Sequence, residues 1–353
     1  MKIPILNIYY LLSYAWNCLD QAKRVNVSVD DKTKILDLLV MVFISGVKIL
    51  LKRGLASNYL EVSEVIIGVK GKLELSETIK NNGIIKLQNV CTMDEFSQNI
   101  MFNRIIVSII YRLLKTQELE SKLHSELKKL IWQLPGITPV FLEEQHFKKI
   151  RLNRQDKFYQ FILKLCELIF EWTLPYEKNG EYRFCDFTRD ERKMNKLFEA
   201  FVRNFYKRNQ GEFPVVRREG ISWLWQNGNK NEEKFLPGME TDITLENATQ
   251  KIIIDTKYYS KSMAEYYGAE KLFSTNLYQM FSYLINQENS TVPRTISAAG
   301  VLLYPKIDKD ISLKYMYKSH TLLIETIDLN SNWKLIEEGL LDILKRASFK
   351  TCQ

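Results

Sequence analysis

The sequence has few of the residues that mark disulfide-rich, metal-thiolate or low-complexity proteins. Its 353 residues include only 5 cysteines, 3 histidines, 14 glycines and 8 prolines. The cysteines are scattered and no two form a C-x-x-C pair, so neither a disulfide framework nor a thiolate zinc site is expected. This cysteine usage predicts a reducing, cytoplasmic environment. The low glycine and proline content also excludes collagen-like and low-complexity classes.

Long hydrophobic runs are missing as well. The most apolar stretch, 38–51, is interrupted by Ser45, Gly46 and Lys48. It is therefore shorter than the roughly 18 to 20 apolar residues that cross a bilayer. The sequence has no G-x-x-x-x-G-K-[ST] motif, so we do not expect the chain to bind nucleotides through a P-loop. A soluble protein without a membrane segment is predicted.

The chain does contain ample material for a folded core. Hydrophobic residues make up 46% of it and aromatic residues 12%, and the formal net charge is +8. A chain of this length is expected to form roughly two domains, and its basic balance admits a polyanionic partner such as a nucleic acid. Because the pattern changes at a basic segment near residue 150, we predict one domain at 1–150 and a second at 151–353.

Hydrophobic periodicity predicts an α+β or α/β fold, with a mixed α/β N-terminal domain and a second domain in which helices flank a mixed sheet. In the first domain, helices are predicted at 35–53, 97–114 and 118–134, and β-structure at 58–69 and 71–79. In the second, helices are predicted at 158–172, 194–205, 270–286 and 333–345, and strands at 212–218, 241–246, 251–258, 296–304 and 321–327. Thr188 and Glu191 predict a capping box before the 194–205 helix.

A candidate site lies where a buried strand runs into charged residues. Three consecutive isoleucines, 252–254, are typical of a strand buried on both faces. Asp255 and Lys257 follow directly, and the period of two places both on one face. If 247–250 forms a four-residue hairpin loop, Asp242 on the preceding strand lies opposite Asp255. Two carboxylates are then expected to face each other at the strand ends.

Two opposed carboxylates repel each other unless a cation or a proton lies between them. Mg²⁺ is the predicted cofactor, because this hard ion is satisfied by one or two carboxylates together with waters and phosphate oxygens. Lys257 would then orient the attacking water or offset charge on a phosphoryl group. The predicted chemistry is phosphodiester hydrolysis. The alternative interpretation is a surface hairpin with ordinary solvated charges.

Two helices carry further candidate side chains. Glu199 lies at the border of the apolar stripe of the 194–205 helix, where it either reaches inward toward the metal or only solubilises the edge. Gln279 and Tyr283 are four residues apart and therefore share one helix face. The alternative for this second pair is a polar helix flank.

Several segments together resemble the McrC family of 5-methylcytosine-specific restriction systems. The first four are IPILNIYYLLSYAW at 3–16, GVKGKLE at 68–74, NRI at 103–105 and YRF at 182–184. The strongest are ETDI at 240–243, IDTKYY at 254–259 and NLYQMFSY at 276–283. These last three are similar to the PD-(D/E)xK nuclease pattern. The resemblance implies a restriction-endonuclease-like second domain that cuts double-stranded DNA.

Carried onto this sequence, the resemblance implies a role for each candidate residue. Asp242 and Asp255 would be metal ligands and catalytic residues, and Lys257 the catalytic lysine. Glu199 would be an accessory acid. Gln279 and Tyr283, both on the predicted 270–286 helix, would form the supporting helix face.

The resemblance also implies a partner, an McrB-type AAA+ GTPase hexamer that recognises the modified DNA. The first domain would dock on this ring and stimulate GTP hydrolysis, with Lys70, Lys72 and Glu74 as candidate docking residues in the charged hairpins of 62–80. A solvated hairpin is the alternative for that segment. For the whole chain the alternatives are a GTPase-activating adaptor that does not cleave DNA and a stand-alone PD-(D/E)xK repair nuclease.

Overall fold

The computed structural model describes residues 3–25, 33–81, 83–149, 156–176, 180–225, 232, 234–259, 264–266 and 269–348. The helices in these ranges are α1 Ile5–Ala15, α2 Leu19–Ala22, α3 Ile35–Arg53, α4 Leu75–Lys80, α5 Gly83–Lys86, α6 Met101–Leu114, α7 Ser121–Trp132, α8 Glu144–Lys148, α9 Lys157–Trp172, α10 Glu191–Asn209, α11 Ser274–Asn286, α12 Pro293–Ile296 and α13 Trp333–Ser348. The strands are β1 Asn58–Ile66, β2 Lys72–Leu73, β3 Asn89–Ser97, β4 Thr173–Pro175, β5 Tyr182–Phe184, β6 Val215–Arg217, β7 Gly220–Ile221, β8 Met239–Glu240, β9 Ile243–Glu246, β10 Lys251–Thr256, β11 Ala264–Tyr266, β12 Ala269–Lys271, β13 Ala299–Pro305, β14 Ser312–Tyr317 and β15 His320–Ile327.

The chain forms two compact units. We call them the sheet unit, Met1–Leu19 with Asp186–Gln353, and the helical unit, Asp20–Cys185. This division differs from the predicted boundary at residue 150 in two respects. Helix α9 with the β4–β5 hairpin belongs to the helical unit, and the first helix of the chain belongs to the sheet unit.

Helix α1 belongs to the sheet unit because polar and aromatic contacts bind it to residues from the far end of the chain. The Asn7 side chain is buried, and its Nδ2 donates to the carbonyl oxygens of Leu329 at 2.8 Å and Ser331 at 2.9 Å. The ring of Tyr10 stacks on Trp333 with the centroids 4.7 Å apart. These partners are more than 300 residues apart in sequence, so local periodicity could not indicate them.

The sheet unit is built on a six-stranded mixed sheet of order β14-β15-β13-β10-β9-β6. Strands β10, β13 and β15 are parallel, and the remaining neighbours are antiparallel. Helices α10, α11 and α13 pack against it. The β9–β10 register pairs Ile243 with Ile254, and Asn247 N donates to Gln250 O across the loop at 3.0 Å. The predicted mixed sheet, its flanking helices and the four-residue hairpin loop are therefore confirmed.

The helical unit combines packed helices with a separate three-stranded antiparallel sheet of order β1-β3-β2. Helices α3, α6, α7 and α9 contact one another and bury apolar faces. Of the predicted β-structure at 71–79, only Lys72–Leu73 pairs with β3, and Leu75–Lys80 is helical. Gly71 precedes this short pairing at φ +75°, and a Cβ there would lie 2.4 Å from the Thr92 carbonyl oxygen. The chain therefore approaches β3 closely and then turns away.

The predicted capping box at the start of α10 is wrong. The helix begins at Glu191, and the Asp190 side chain accepts a hydrogen bond from the Lys193 backbone N–H at 3.0 Å. Thr188 lies in a preceding 3₁₀ turn, where its hydroxyl donates to Asp186. An aspartate at the N-cap satisfies the same exposed backbone donors as threonine, so the sequence offered two suitable residues.

None of the helices in the described ranges combines the length and the apolar character that a membrane span requires. This finding agrees with the interrupted hydrophobic pattern of residues 38–51.

Candidate active site

The two aspartates predicted to face each other lie at adjacent ends of β9 and β10. Asp242 immediately precedes β9, and its Oδ2 accepts hydrogen bonds from the Thr256 backbone N–H at 2.8 Å and from the Thr256 hydroxyl at 3.0 Å. Asp255 is the residue before that threonine, and its side chain is fully buried. The structure therefore brings both carboxylates to one end of the hairpin, as the register predicts.

Asp255 is in an environment that disfavours its charged form. Its Oδ1 has no hydrogen-bond partner among the described residues, and its Oδ2 forms an ion pair with Lys257 Nζ at 2.8 Å. Burial, reinforced by the negative charge of Asp242, raises the pKa of Asp255 to about 7, although Lys257 opposes this shift. Such a buried and incompletely paired carboxylate is costly for the fold, and strongly perturbed groups of this kind are typical of functional sites.

Lys257 is held between the sheet and helix α11. Its Nζ donates to Gln279 Oε1 at 2.9 Å, and its side chain is 16% exposed. Burial lowers the pKa of Lys257, but the charge of Asp255 and its hydrogen bond outweigh burial, so the net shift is upward. The lysine therefore remains a cation that faces the carboxylates.

A chain of hydrogen bonds fixes the orientation of the Gln279 amide. Its Nε2 donates to the Tyr283 hydroxyl at 2.7 Å, and that hydroxyl donates to the Glu240 carbonyl oxygen at 2.8 Å. Because Tyr283 accepts from Gln279, the amide oxygen faces Lys257. The chain ends on the backbone two residues before Asp242, so the helix face and the strand ends form one connected network.

Helix α11 lies close enough to the sheet to make these contacts. A Cβ on Gly300 of β13 would be 2.7 Å from Met280 Sδ, so the glycine permits the close approach. Asn276, one turn before Gln279, donates to the Tyr304 hydroxyl at 2.9 Å. Asn276 and Tyr304 thus add a second polar attachment between the helix and β13.

Glu199 reaches inward from α10 and is buried, which excludes the solvated-edge interpretation. Its Oε1 accepts from Arg203 Nη1 at 2.6 Å and from Arg218 Nε at 2.9 Å. Arg203 Nη1 also lies 3.4 Å from the carbonyl oxygen of Asp242. Glu199 is close enough to the site for its charge to raise the pKa of Asp255. Glu199 therefore belongs to the site, and its Oε1 is paired with two arginine side chains.

The residues present fit a hard divalent cation. In the described part of the chain, no group of three or more His, Cys, Asp or Glu side chains is close enough to hold a metal ion. Mg²⁺ does not need such a group, because it is commonly held by one or two carboxylates and completes its shell with water and phosphate oxygens. The unsatisfied buried oxygen of Asp255, beside Asp242, is a donor of the required chemistry.

Sequence reasoning missed three side chains that shape this site. Thr256 stands between Asp255 and Lys257, and its backbone N–H and hydroxyl both donate to Asp242 Oδ2. Arg203 and Arg218 pair with Glu199. The spacing of Glu199 and Arg203, four residues apart on one helix, could have indicated their pairing, whereas Arg218 comes from a distant segment.

The fold and the site define a class: a helix-flanked mixed-sheet protein with two aspartates and a lysine at the ends of adjacent strands. The chain belongs to the family described as McrBC 5-methylcytosine restriction system component, which it matches over residues 7–305. It is 33% identical to the type IV methyl-directed restriction enzyme EcoKMcrBC of Escherichia coli K12 over 343 residues, which cover 97% of each chain.

The fold is also similar to a solved structure, the half-complex from a tetradecameric assembly of Thermococcus gammatolerans McrB AAA+ hexamers with bound McrC. The TM-score is 0.57 and the sequence identity is 17%, and the match covers 96% of this chain and 76% of the other. At this identity the likeness concerns the fold alone.

Proposed function

We propose that this chain is the nuclease subunit of a modification-dependent restriction complex and cuts double-stranded DNA by Mg²⁺-dependent phosphodiester hydrolysis. The observation that carries the proposal is Asp255, a buried carboxylate with an unsatisfied oxygen, beside Asp242 and in contact with Lys257. A fold does not need this costly arrangement for stability, because an apolar pair would pack better. Membership in a restriction-system family supports the same chemistry.

Each side chain has a distinct part in the proposed reaction. Asp242 and Asp255 would hold Mg²⁺, which would neutralise charge on the phosphate and polarise its oxygens when bound. The Lys257 ammonium would stabilise the negative charge that develops on the phosphoryl oxygens. Gln279 would hold that ammonium in place through its hydrogen bond of 2.9 Å.

We further propose that the helical unit docks on an AAA+ GTPase hexamer of the McrB type, which recognises the modified base, and stimulates its GTP hydrolysis. The relatives support this partner, since one solved neighbour contains McrB AAA+ hexamers with bound McrC. Specificity would then lie mainly in the partner, and this chain would contribute cleavage.

The docking surface we propose is the tip of the β1-β3-β2 sheet, defined as residues 67–88. Its described residues include six aliphatic side chains that are each at least 60% exposed: Ile67, Val69, Leu75, Ile79, Ile85 and Leu87. A concentration of exposed apolar side chains is typical of a protein interaction site. Lys70, Lys72 and Glu74 lie in the same segment, and Lys72 and Glu74 pair with each other at 2.7 Å, so we place these three at the polar rim.

The test combines the protein, its GTPase partner, methylated plasmid, GTP and Mg²⁺, and follows both linear DNA and phosphate release. We expect cleavage by the wild type. Lys257→Ala should cleave about 100- to 1,000-fold more slowly, because one fixed charge is lost from the transition state. The same variant should stimulate GTP hydrolysis as well as the wild type does.

The alternatives give different results in this assay. Stimulation of GTP hydrolysis without any DNA cleavage would mean that the chain is a non-cleaving adaptor. Cleavage that does not need the partner or GTP would identify a stand-alone nuclease. Loss of both activities in Lys257→Ala would mean that the lysine is only structural.

Tyr283→Phe is expected to lower the cleavage rate with little effect on the KM for DNA. Without the hydroxyl, Gln279 Nε2 loses its acceptor, and the orientation of the amide is no longer fixed. The amide oxygen would then hold Lys257 less firmly than it does now. Tyr304→Phe is the control, because it removes another hydroxyl that contacts α11 at Asn276. Equal loss of rate in both variants would mean that general helix packing is responsible.

A further inference from the structure

The Arg218 guanidinium lies at the edge of the site and has N–H donors that its contacts with Glu199 do not use. Its Nε and Nη2 lie 2.9 and 2.8 Å from the same oxygen, Glu199 Oε1. Its Nη1 is 3.6 Å from Glu240 Oε2, beyond hydrogen-bond distance. A guanidinium has five N–H donors. The Nη1 end of Arg218 is therefore available to another acceptor, and the side chain is 47% exposed.

The chain around Arg218 ties it to the proposed metal ligands. Arg218 follows β6 and precedes β7, and β7 pairs with β8, whose last residue, Glu240, is two residues before Asp242. Glu199, which Arg218 contacts, also binds Arg203, and Arg203 lies 3.4 Å from the carbonyl oxygen of Asp242. The guanidinium is thus fixed relative to the strand ends by contacts from two sides.

The cations at this site differ in how far their side chains are exposed to solvent. The side chains of Lys257 and Arg203 are 16% and 21% exposed, whereas Arg218 is 47% exposed. A DNA phosphodiester must approach from solvent, and arginine suits phosphate because two parallel N–H donors match two oxygens. Of these three cations, Arg218 is the most exposed, and it has free N–H donors. It is therefore the one best placed to contact a phosphate of the DNA backbone.

We propose that Arg218 binds a backbone phosphate of the DNA next to the bond that is cut, and that Glu199 positions Arg218. Glu199 then acts as a buried anchor for the arginine rather than as a metal ligand. This inference rests on the proposed nuclease function, and it adds the residue that holds the substrate backbone at the site.

Arg346 provides a matched control. It lies on α13 in the same unit, its side chain is 49% exposed, and its Nη2 lies 3.0 Å from Oε2 of Glu325, a side chain only 3% exposed. Arg346 and Arg218 are therefore alike in one respect: each is a half-exposed arginine paired with a buried carboxylate. None of the contacts given above for the two aspartates and Lys257 involves Arg346.

The first experiment measures DNA binding by the full-length chain at several salt concentrations, in an Asp255→Asn background with Mg²⁺ so that the DNA stays intact. Arg218→Ala should bind roughly 10- to 100-fold more weakly. The slope of log affinity against log salt should become shallower by about 0.9, as expected for one lost phosphate contact. Arg218→Lys should keep the slope, and Arg346→Ala should change neither quantity.

The second experiment measures cleavage by the complex with the GTPase partner. Arg218→Ala should raise the KM for DNA, and Glu199→Gln should raise it by a smaller factor while keeping the salt slope, because the charge of Arg218 remains but its anchor is weakened. An unchanged slope in Arg218→Ala, or the same change in Arg346→Ala, would overturn the inference. Absence of cleavage by the wild type would instead count against the proposed function, and the salt slope would still test Arg218.

Discussion

Replacement of Asp255 by Asn is expected to abolish DNA cleavage and also to stabilise the metal-free protein. The amide lacks the charged oxygens that we propose bind Mg²⁺, so cleavage should fall below detection. The wild-type carboxylate is fully buried, and its Oδ1 finds no hydrogen-bond partner within the described ranges. A buried carboxylate that lacks hydrogen-bond partners costs at least about 1–3 kcal/mol while it is charged, and the neutral amide removes that charge. We expect the free energy of unfolding to rise by about that amount in EDTA at pH 8.

The size of this gain should depend on pH. Burial and the charge of Asp242 raise the pKa of Asp255 from 3.8 to about 7. Between these values the folded chain binds a proton that the unfolded chain releases, so the group makes wild-type stability fall as the pH rises through that window. The stability advantage of Asp255→Asn should therefore be largest above pH 7 and disappear below about pH 4.

Urea unfolding of both proteins at pH 5 and pH 8 checks this expectation. Asp342→Asn is the control, because that aspartate is 63% exposed and its replacement should change stability little. Adding Mg²⁺ should stabilise the wild type and leave the Asp255→Asn variant nearly unchanged, since a ligand stabilises only the state that binds it. Retained cleavage, or a variant less stable than the wild type at pH 8, would contradict the proposed role of Asp255.

The double variant Ile67→Asp with Ile85→Asp is expected to reduce GTP hydrolysis by the partner to its basal rate. Both isoleucines are 84% exposed in the tip, so the free protein should fold normally. At an apolar interface each new carboxylate would be buried without a counter-ion, which costs about 3–5 kcal/mol. Association with the partner should therefore weaken at least about 100-fold. Phosphate release at increasing concentrations of the variant measures the effect.

Phe141→Asp is the matched control for the tip. Phe141 is 83% exposed and lies in the same unit outside residues 67–88. The Phe141→Asp variant should stimulate GTP hydrolysis by the partner as the wild type does. Lys72→Ala should have a smaller effect than the double variant, since Lys72 lies at the rim and already pairs with Glu74. If Phe141→Asp is as defective as the double variant, the docking surface extends beyond the tip or lies elsewhere.

The centre of the site could be predicted because local rules determine it. The isoleucine run fixes a buried strand, the short loop fixes the hairpin register, and the period of two sets the face of Asp255 and Lys257. The helix repeat likewise puts Gln279 and Tyr283 together. Each of these inferences uses neighbours within about fifteen residues in the chain. The structure joins the two pairs through the hydrogen bond of 2.9 Å from Lys257 Nζ to Gln279 Oε1, which these local rules do not predict.

The remaining features depend on contacts that the sequence does not encode locally. Strand β14, at the edge of the sheet, was not predicted because its side chains are mostly exposed on both faces and show no alternation. The pairing of Arg218 with Glu199 joins residues from a helix and a distant strand end. The place of α1 in the sheet unit depends on partners such as Leu329, which no periodicity connects to Asn7.

The membership of α1 in the sheet unit has a mechanical meaning. Since Met1–Leu19 and Asp186–Gln353 form one body, the helical unit is inserted into it and is joined to it by two peptide crossings, at 19–20 and at 185–186. A pull on one unit would therefore be transmitted to the other along two covalent paths instead of one.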